Sequence, residues 1–205
     1  MIGVIDYGMG NLGSVANALA FLGAPARVLR GPEEMSDCHA LILPGVGAFG
    51  DCMNNLRQHG YVEPIQQWMA ADRPLLGICL GLQVLCESSE ESPGVDGFGV
   101  VSSPVVKFAA SPELKVPQIG WNRVNRAPGR ECPLFRGIPD GTYFYFVHSF
   151  YLPGAGGWDA GLTVHGVEYT SAVWRGRVAA VQFHPEKSQQ AGLRLLQNFV
   201  DWSSE

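Results

Sequence analysis

No stretch of this sequence approaches the roughly twenty consecutive apolar residues that a membrane-crossing helix needs. Positive charge is also scarce: 14 Lys and Arg stand against 19 Asp and Glu, a net charge of -5. That deficit argues against nucleic acid or an anionic membrane surface as a partner. No charged leader precedes the first apolar run, because Met1 leads straight into Ile2-Gly3-Val4-Ile5. A signal peptide is therefore not expected, and a cytoplasmic location is. Cysteine is sparse. The five residues at positions 38, 52, 79, 86 and 132 form an odd set without a Cys-x-x-Cys spacing. This excludes a disulfide framework and gives no sign of a zinc site. Repeats, linkers and low-complexity tracts are missing as well, so one domain over residues 1–205 is expected. What is present suits a globular chain: 46% of the residues are hydrophobic and only 16% charged, in 205 residues, enough for one α/β domain with a full core.

In the first half, short apolar runs alternate with helical patterns. Residues 2–6, 26–29, 40–43 and 75–78 read as strands. Residues 14–22, with Ser14 as cap, and the stretches 53–58 and 62–71 read as helices. Apolar strands separated by helices predict an α/β fold, a doubly wound, mostly parallel sheet with helices on both faces. Beyond residue 95 the texture turns to strands, over 97–106, 120–124, 142–151 and a hairpin 171–174/178–181 around Arg175-Gly176-Arg177. These form an added antiparallel region. Residues 153–159 read as a glycine-rich surface loop. A closing helix is expected over 189–202, with Leu195, Leu196, Phe199 and Val200 on one face.

Gly77-Ile78-Cys79-Leu80-Gly81 directly follows the run Pro74-Leu75-Leu76. This is the cysteine form of the Gly-x-Ser-x-Gly elbow, which holds a nucleophile on a sharp strand-to-helix corner at the top of a sheet. The flanking glycines are expected to permit the strained backbone. A helix over residues 80–86 would turn its positive end to the sulfur and favour the thiolate. Far along the chain stands Val181-Gln182-Phe183-His184-Pro185-Glu186. Strand alternation would put His184 and Glu186 on one face, with Pro185 stiffening the chain between them. A carboxylate that orients an imidazole, which in turn takes a thiol proton, is triad logic in the order Cys79, His184, Glu186. Taken singly, Cys79 reads as a small buried hydrophobe and His184 as an ordinary surface histidine. Two such motifs, each at a strand end, point together to nucleophilic catalysis.

Pro44-Gly45-Val46-Gly47 follows the third strand, on the rim that would carry the elbow. With side chains nearly absent there, backbone N–H groups can approach a developing oxyanion, and the N–H of Leu80 is a second donor. Gln83 lies one helical turn beyond Cys79 and can reach a polar substrate or cap a carbonyl. The run Tyr145-Phe146-Val147-His148-Ser149-Phe150 ends an aromatic strand in polar residues, as pocket edges and turns both do. Glu91 can meet a substrate ammonium or stand solvated beside Glu90. One competing motif lies at the front. Gly8-Met9-Gly10-Asn11-Leu12-Gly13 fits the dinucleotide fingerprint Gly-x-Gly-x-x-Gly. The second strand, however, ends in Leu29-Arg30-Gly31 without the ribose-binding acid, and that reading leaves the elbow and His-Pro-Glu unexplained.

Gly77-Ile-Cys-Leu-Gly-Leu-Gln83 with Gln182-Phe-His-Pro-Glu186 resembles the class I (triad) glutamine amidotransferases. The resemblance narrows over Asp6-Tyr-Gly-Met-Gly-Asn-Leu12, Leu43-Pro-Gly-Val-Gly-Ala-Phe49, Leu114-Lys-Val-Pro-Gln-Ile-Gly-Trp-Asn122, Tyr143-Phe-Tyr-Phe-Val-His-Ser-Phe150 and His184-Pro-Glu-Lys-Ser188. There it is closest to the glutaminase subunits of imidazole glycerol phosphate synthases of histidine biosynthesis. It covers nearly the whole chain and is weakest over residues 153–167. It implies Cys79 as nucleophile, His184 as acid and base, and Glu186 as orienter. Gly45, Val46, Gly47 and Leu80 would form the oxyanion hole. Gln83, Glu91, His148, Ser149 and Phe150 would line the L-glutamine pocket, partly through backbone. No metal or organic cofactor is implied. The implied partner is a (β/α)8 cyclase that receives ammonia shielded from water. Met9, Gly10, Asn11, Trp121 and Lys187 are expected to face that cyclase, because tryptophan is an interface anchor and Lys187 could meet a partner carboxylate. Two other readings stay open, a glutaminase serving another synthase and a silent regulatory subunit that keeps the fold.

Overall fold

A computed structural model describes residues 1–112 and 114–205. The first half is built from β1 (Ile2–Ile5), α1 (Leu12–Phe21), β2 (Ala26–Leu29), β3 (Ala40–Gly45), α2 (Phe49–Gln58), α3 (Val62–Ala70), β4 (Leu75–Cys79) and α4 (Leu80–Gln83). The second half holds β5 (Val106–Lys107), β6 (Gln118–Arg126), β7 (Thr142–His148), β8 (Phe150–Tyr151), β9 (Asp159–His165), β10 (Val167–Arg175), β11 (Val178–Val181) and α5 (Gln189–Ser203). Nine strands form one sheet in the order β2-β1-β3-β4-β11-β10-β9-β6-β7, while β5 and β8 pair separately. The first five of these are parallel neighbours, and the remaining four are antiparallel. This is the expected α/β sheet with its antiparallel addition.

Period-two alternation sorts the parallel strands onto two cores. Ala40 and Ile42 of β3, with Leu76 and Ile78 of β4, pack towards α1 and α5. Leu41, Leu43 and Leu75 face α2 and α3 through Phe49, Leu56 and Ile65. Strands covered on both faces carry no polar side chain, which is why β3, β4 and β11 read as unbroken apolar runs. Among the described residues, no helix is long and apolar enough to cross a membrane. All five cysteines are free and buried.

Several local expectations need correction. The first helix starts at Leu12, so Ser14 lies inside it and Asn11 takes the cap position. The helix after the elbow ends at Gln83 and does not reach residue 86. The carbonyls of Val84, Leu85 and Cys86 accept instead from the N–H groups of Phe98, Val101 and Gly99. That capture also explains why residues 97–106 are mostly loop with isolated bridges rather than a strand. The expected strand 142–151 breaks at Ser149 into β7 and β8. The strand β9 was not legible, because Asp159-Ala-Gly-Leu-Thr-Val-His165 directly follows the glycine-rich loop.

Candidate active site

The elbow is formed by β4 running without a spacer into α4. Cys79 sits at the junction with φ 56° and ψ -107°, a conformation that costs a non-glycine residue about 1–3 kcal/mol. The flanking glycines serve a different purpose from the one expected. Neither has a positive φ. A Cβ at Gly77 would lie 2.6 Å from the Gly81 carbonyl oxygen, and a Cβ at Gly81 would collide with the Leu43 carbonyl oxygen. They are small so that α4 can press onto β3 and β4, and Cys79 alone carries the strain.

Parallel pairing of β4 with β11 continues to Ile78 opposite Val181. The chain leaving β11 therefore passes beside Cys79. His184 Nδ1 lies 2.8 Å from Glu186 Oε1, with both side chains buried (3% and 1% exposed). The geometry that joins them is not strand alternation. β11 ends at Val181, and Pro185–Lys187 form a turn of 3-10 helix that folds the carboxylate back under the ring. Ser188 holds the turn: its N–H donates to the Pro185 carbonyl and its hydroxyl to the His184 carbonyl at 2.7 Å. Burial alone would depress the His184 imidazole, but the pull of the Cys79 sulfur and of Glu186 outweighs it and raises the ring well above the usual imidazole range. With Nδ1 turned to Glu186, Nε2 remains for the thiol. Glu186 Oε2 is buried with no hydrogen-bond partner among the described residues. Asn11 Nδ2 stands 3.5 Å from Oε1.

Val46, Gly47, Cys79, Leu80, Gln83, Glu91, Val147, His148, Ser149, Phe150, His184 and Lys187 line a single cavity of about 320 Å³. That is the lower end of the range for small-molecule sites. A larger cavity of about 470 Å³, between Arg126, Cys132, Phe135, Trp174 and Trp202, has no histidine in its lining. Burial pushes the Cys132 thiol up to about 12, where it is inert. Among the described residues, no cluster of His, Cys, Asp and Glu side chains is placed to hold a metal ion.

A model of the family described as "Glutamine amidotransferase class-I" matches residues 3–202. The chain belongs to the class-I glutamine amidotransferases. "Imidazole glycerol phosphate synthase subunit HisH" of Desulfitobacterium hafniense (strain DSM 10664 / DCB-2) is 46% identical over 206 residues, covering 100% of this chain and 96% of that protein. The protein of the same description from Moorella thermoacetica is 49% identical, covering 97% and 93%. Among solved structures, a "Crystal structure of glutamine amidotransferase" aligns with TM-score 0.77 at 21% identity over 100% and 99% of the two chains. "Structure of PurLQS from Thermotoga maritima" aligns with TM-score 0.77 at 17% identity, covering 98% and 97%. These two share the fold.

Within this amidotransferase the remaining predicted residues sort clearly. Gly45 ends β3 and does not line the cavity; a Cβ there would lie 2.8 Å from both Leu80 Cβ and the Tyr7 hydroxyl. Val46 and Gly47 do reach the cavity, and Leu80 presents a first-turn N–H without a helical partner. Glu91 accepts from the Phe49 N–H at 2.8 Å, capping α2 from across the fold, while it lines the cavity. His148 is fully engaged. Its Nδ1 lies 2.7 Å from the Phe150 carbonyl, and Nε2 meets Gln118 and the Tyr169 hydroxyl. Burial lowers its ring to about 4, so it is neutral and offers the cavity mainly its backbone. Of the residues expected at a partner surface, Lys187 is exposed at the cavity mouth. Trp121 is 46% exposed and meets Tyr145 edge-on. The first loop packs on the oxyanion loop: a Cβ at Gly47 would lie 2.6 Å from Met9 Cε, and one at Gly10 would lie 3.5 Å from the Pro44 carbonyl. Of the glycines of the dinucleotide-like motif, Gly8 and Gly10 take the positive φ (83° and 123°) that turns this loop, while Gly13 has open space around it.

Sequence reasoning missed three residues at this site and one contact of a residue it expected elsewhere. Tyr7 is buried beneath the oxyanion loop and donates to the Pro44 carbonyl at 2.8 Å. Pro117 closes the cavity. Asn11, expected only at a partner surface, reaches the Glu186 carboxylate. Gln182 touches the sulfur itself. Only the adjacency of β4 and β11 could have revealed Gln182, and a sequence does not state strand order.

Proposed function

We propose that this chain is the glutaminase subunit of imidazole glycerol phosphate synthase, acting as one domain over residues 1–205 and in the cytoplasm. The observation that carries the reading is the buried His184–Glu186 pair beside Cys79, in one cavity of about 320 Å³ of a chain similar end to end to HisH subunits. The Cys79 sulfur attacks the carboxamide carbon of L-glutamine. The developing oxyanion is met by N–H groups of Leu80 and of the Val46-Gly47 segment. His184 gives its proton to the departing ammonia, then activates water to hydrolyse the thioester to glutamate. Glu186 holds the imidazole in orientation throughout. Gln83 and Glu91 hold the amino-acid end of the substrate, with the backbone of His148, Ser149 and Phe150 completing the pocket. No metal or organic cofactor takes part.

The ammonia passes to a (β/α)8 cyclase seated over Met9, Gly10, Asn11, Trp121 and Lys187. Two features support this face. Ile119 and Trp121 of β6 stand exposed opposite Val147 and Tyr145 of β7, leaving apolar surface beside the cavity. The Met9 loop also touches the oxyanion loop, so a docked cyclase can reset Gly47 and shift the population of the active arrangement. The test is reconstitution with a (β/α)8 cyclase, measuring glutamate release with and without the cyclase's nucleotide ligand. The reading expects release that rises on docking and again on ligand binding. Release that is absent in every combination would refute it.

A further inference from the structure

We propose that Gln182 is a positioning residue for the nucleophile: its side-chain amide donates to the Cys79 sulfur and is aimed there by Gln83. The inference rests on the reading of Cys79 as the glutaminase nucleophile, and it assigns to Gln182 a task that the triad does not cover. Gln182 is completely buried one residue past the end of β11. Its Nε2 lies 3.7 Å from Cys79 Sγ, and its Oε1 lies 3.0 Å from Gln83 Nε2. Gln83 Nε2 also donates to the Phe150 carbonyl at 3.1 Å.

The orientation of both amides follows from one fixed group. A backbone carbonyl can only accept, so Gln83 must present its NH₂ to Phe150. The same NH₂ meets Gln182, which must therefore present its oxygen. The Gln182 NH₂ is left facing the sulfur, with no freedom to flip. On its other side Cys79 Sγ lies 3.9 Å from the Val147 carbonyl. An acceptor there serves the protonated thiol, whereas the Gln182 donor serves the thiolate. The titratable groups around the sulfur are His184 after β11, with Glu186 behind it, Tyr7 after β1 and Tyr169 of β10, and Glu91, His148 and Lys187 line the same cavity. Burial pushes both tyrosines up, so they stay neutral and add no charge. Gln182 is thus a fixed neutral donor beside the imidazole. Because Gln83 lines the substrate cavity and Phe150 borders it, the same relay ties the pocket wall to the nucleophile.

The experiment is the pH–rate profile of iodoacetamide alkylation at Cys79 in the full chain, read by peptide mass spectrometry. Three proteins are compared: wild type, Gln182→Glu and Gln182→Met. Gln182→Glu keeps the shape and the acceptor for Gln83 but replaces the donor with a carboxylate oxygen. A hydrogen bond to a charged acceptor is worth about ten-fold or more. Alkylation at pH 7 should fall by about that factor in Gln182→Met and further in Gln182→Glu, with both profiles displaced to higher pH. In the assembled synthase kcat for glutamine should fall more than KM rises. Gln83→Leu leaves Gln182 in place but removes the group that aims it, and should displace the profile in the same direction by less. That variant decides the matter if neither Gln182 variant folds. Profiles that superimpose on wild type would overturn the proposal, as would a rise in KM at unchanged kcat. A different failure is kept apart: wild-type Cys79 no more reactive than the four buried cysteines would refute the nucleophile assignment itself.

Discussion

Strands β3, β4 and β11 of the parallel block and β6 of the antiparallel block belong to one sheet, yet they dispose of their side chains in opposite ways. Every residue of β3, β4 and β11 is buried. Glycines in and against these strands are fixed by contact, as at Gly77 of β4 and at Gly81 of α4, where any side chain would strike the Leu43 carbonyl. In β6, by contrast, exposed and half-buried residues outnumber buried ones, and Ile119, 64% exposed, stands near Trp121 on the open face. Gly154, in the loop before β9, has open space where a Cβ would point. The strands covered on both faces fix Cys79 and the start of the His184 turn, whereas β6 leaves apolar side chains exposed. Antiparallel pairing begins between β11 and β10, and His184 lies three residues past the end of β11.

The comparison can be broken most severely at that boundary. His184→Ala should lower glutamine-dependent turnover by several orders of magnitude while the chain stays folded, since a member of a catalytic unit is being removed. Steady-state glutamate release, with circular dichroism as the folding control, checks this. Next comes the scaffold. Gly81→Ala should destabilise the chain by about 1–3 kcal/mol through overpacking and lower kcat by displacing the elbow. Gly154→Ala should leave both within error. Thermal denaturation of the pair tests the contrast, and equal effects would dissolve it. Glu186→Gln should cost less than loss of His184, because it keeps a hydrogen bond to the ring but removes the charge that steadies it. A Glu186→Gln variant as inactive as His184→Ala would refute its role as orienter. The smallest effect belongs to the antiparallel face. Trp121→Ala should weaken cyclase association and ligand-stimulated turnover by about ten-fold, the cost of a modest interface anchor. Titration by calorimetry would reveal it, and the fold of the isolated subunit should not change.

The same division governs what could be read from the sequence. Strands covered on both faces show as apolar runs, so Ile2–Ile5, Ala40–Gly45 and Leu75–Cys79 were legible to within two residues, as was the closing helix Gln189–Ser203. The meeting of Cys79, His184 and Glu186 was legible because turn chemistry marks both strand ends. The reason given for the His184–Glu186 contact was still incorrect: alternation was expected, and a 3-10 turn makes it. Long-range hydrogen bonds account for the other misses. The carbonyls after Gln83 are claimed by residues 98–101, which shortens α4 and unmakes a strand. Gln182 is brought to Cys79 by strand order. Glu91 is drawn in to cap α2. None of these partners is near in sequence.

The central claim is that Cys79 serves only to release ammonia, which a partner then consumes. It is tested most directly by Cys79→Ala in the reconstituted synthase, assayed once with glutamine and once with ammonium salt as nitrogen source. The account predicts synthesis from ammonia at a near wild-type rate and synthesis from glutamine reduced by several orders of magnitude. Glutamine-dependent synthesis that persists, or loss of both activities in a folded complex, would contradict it.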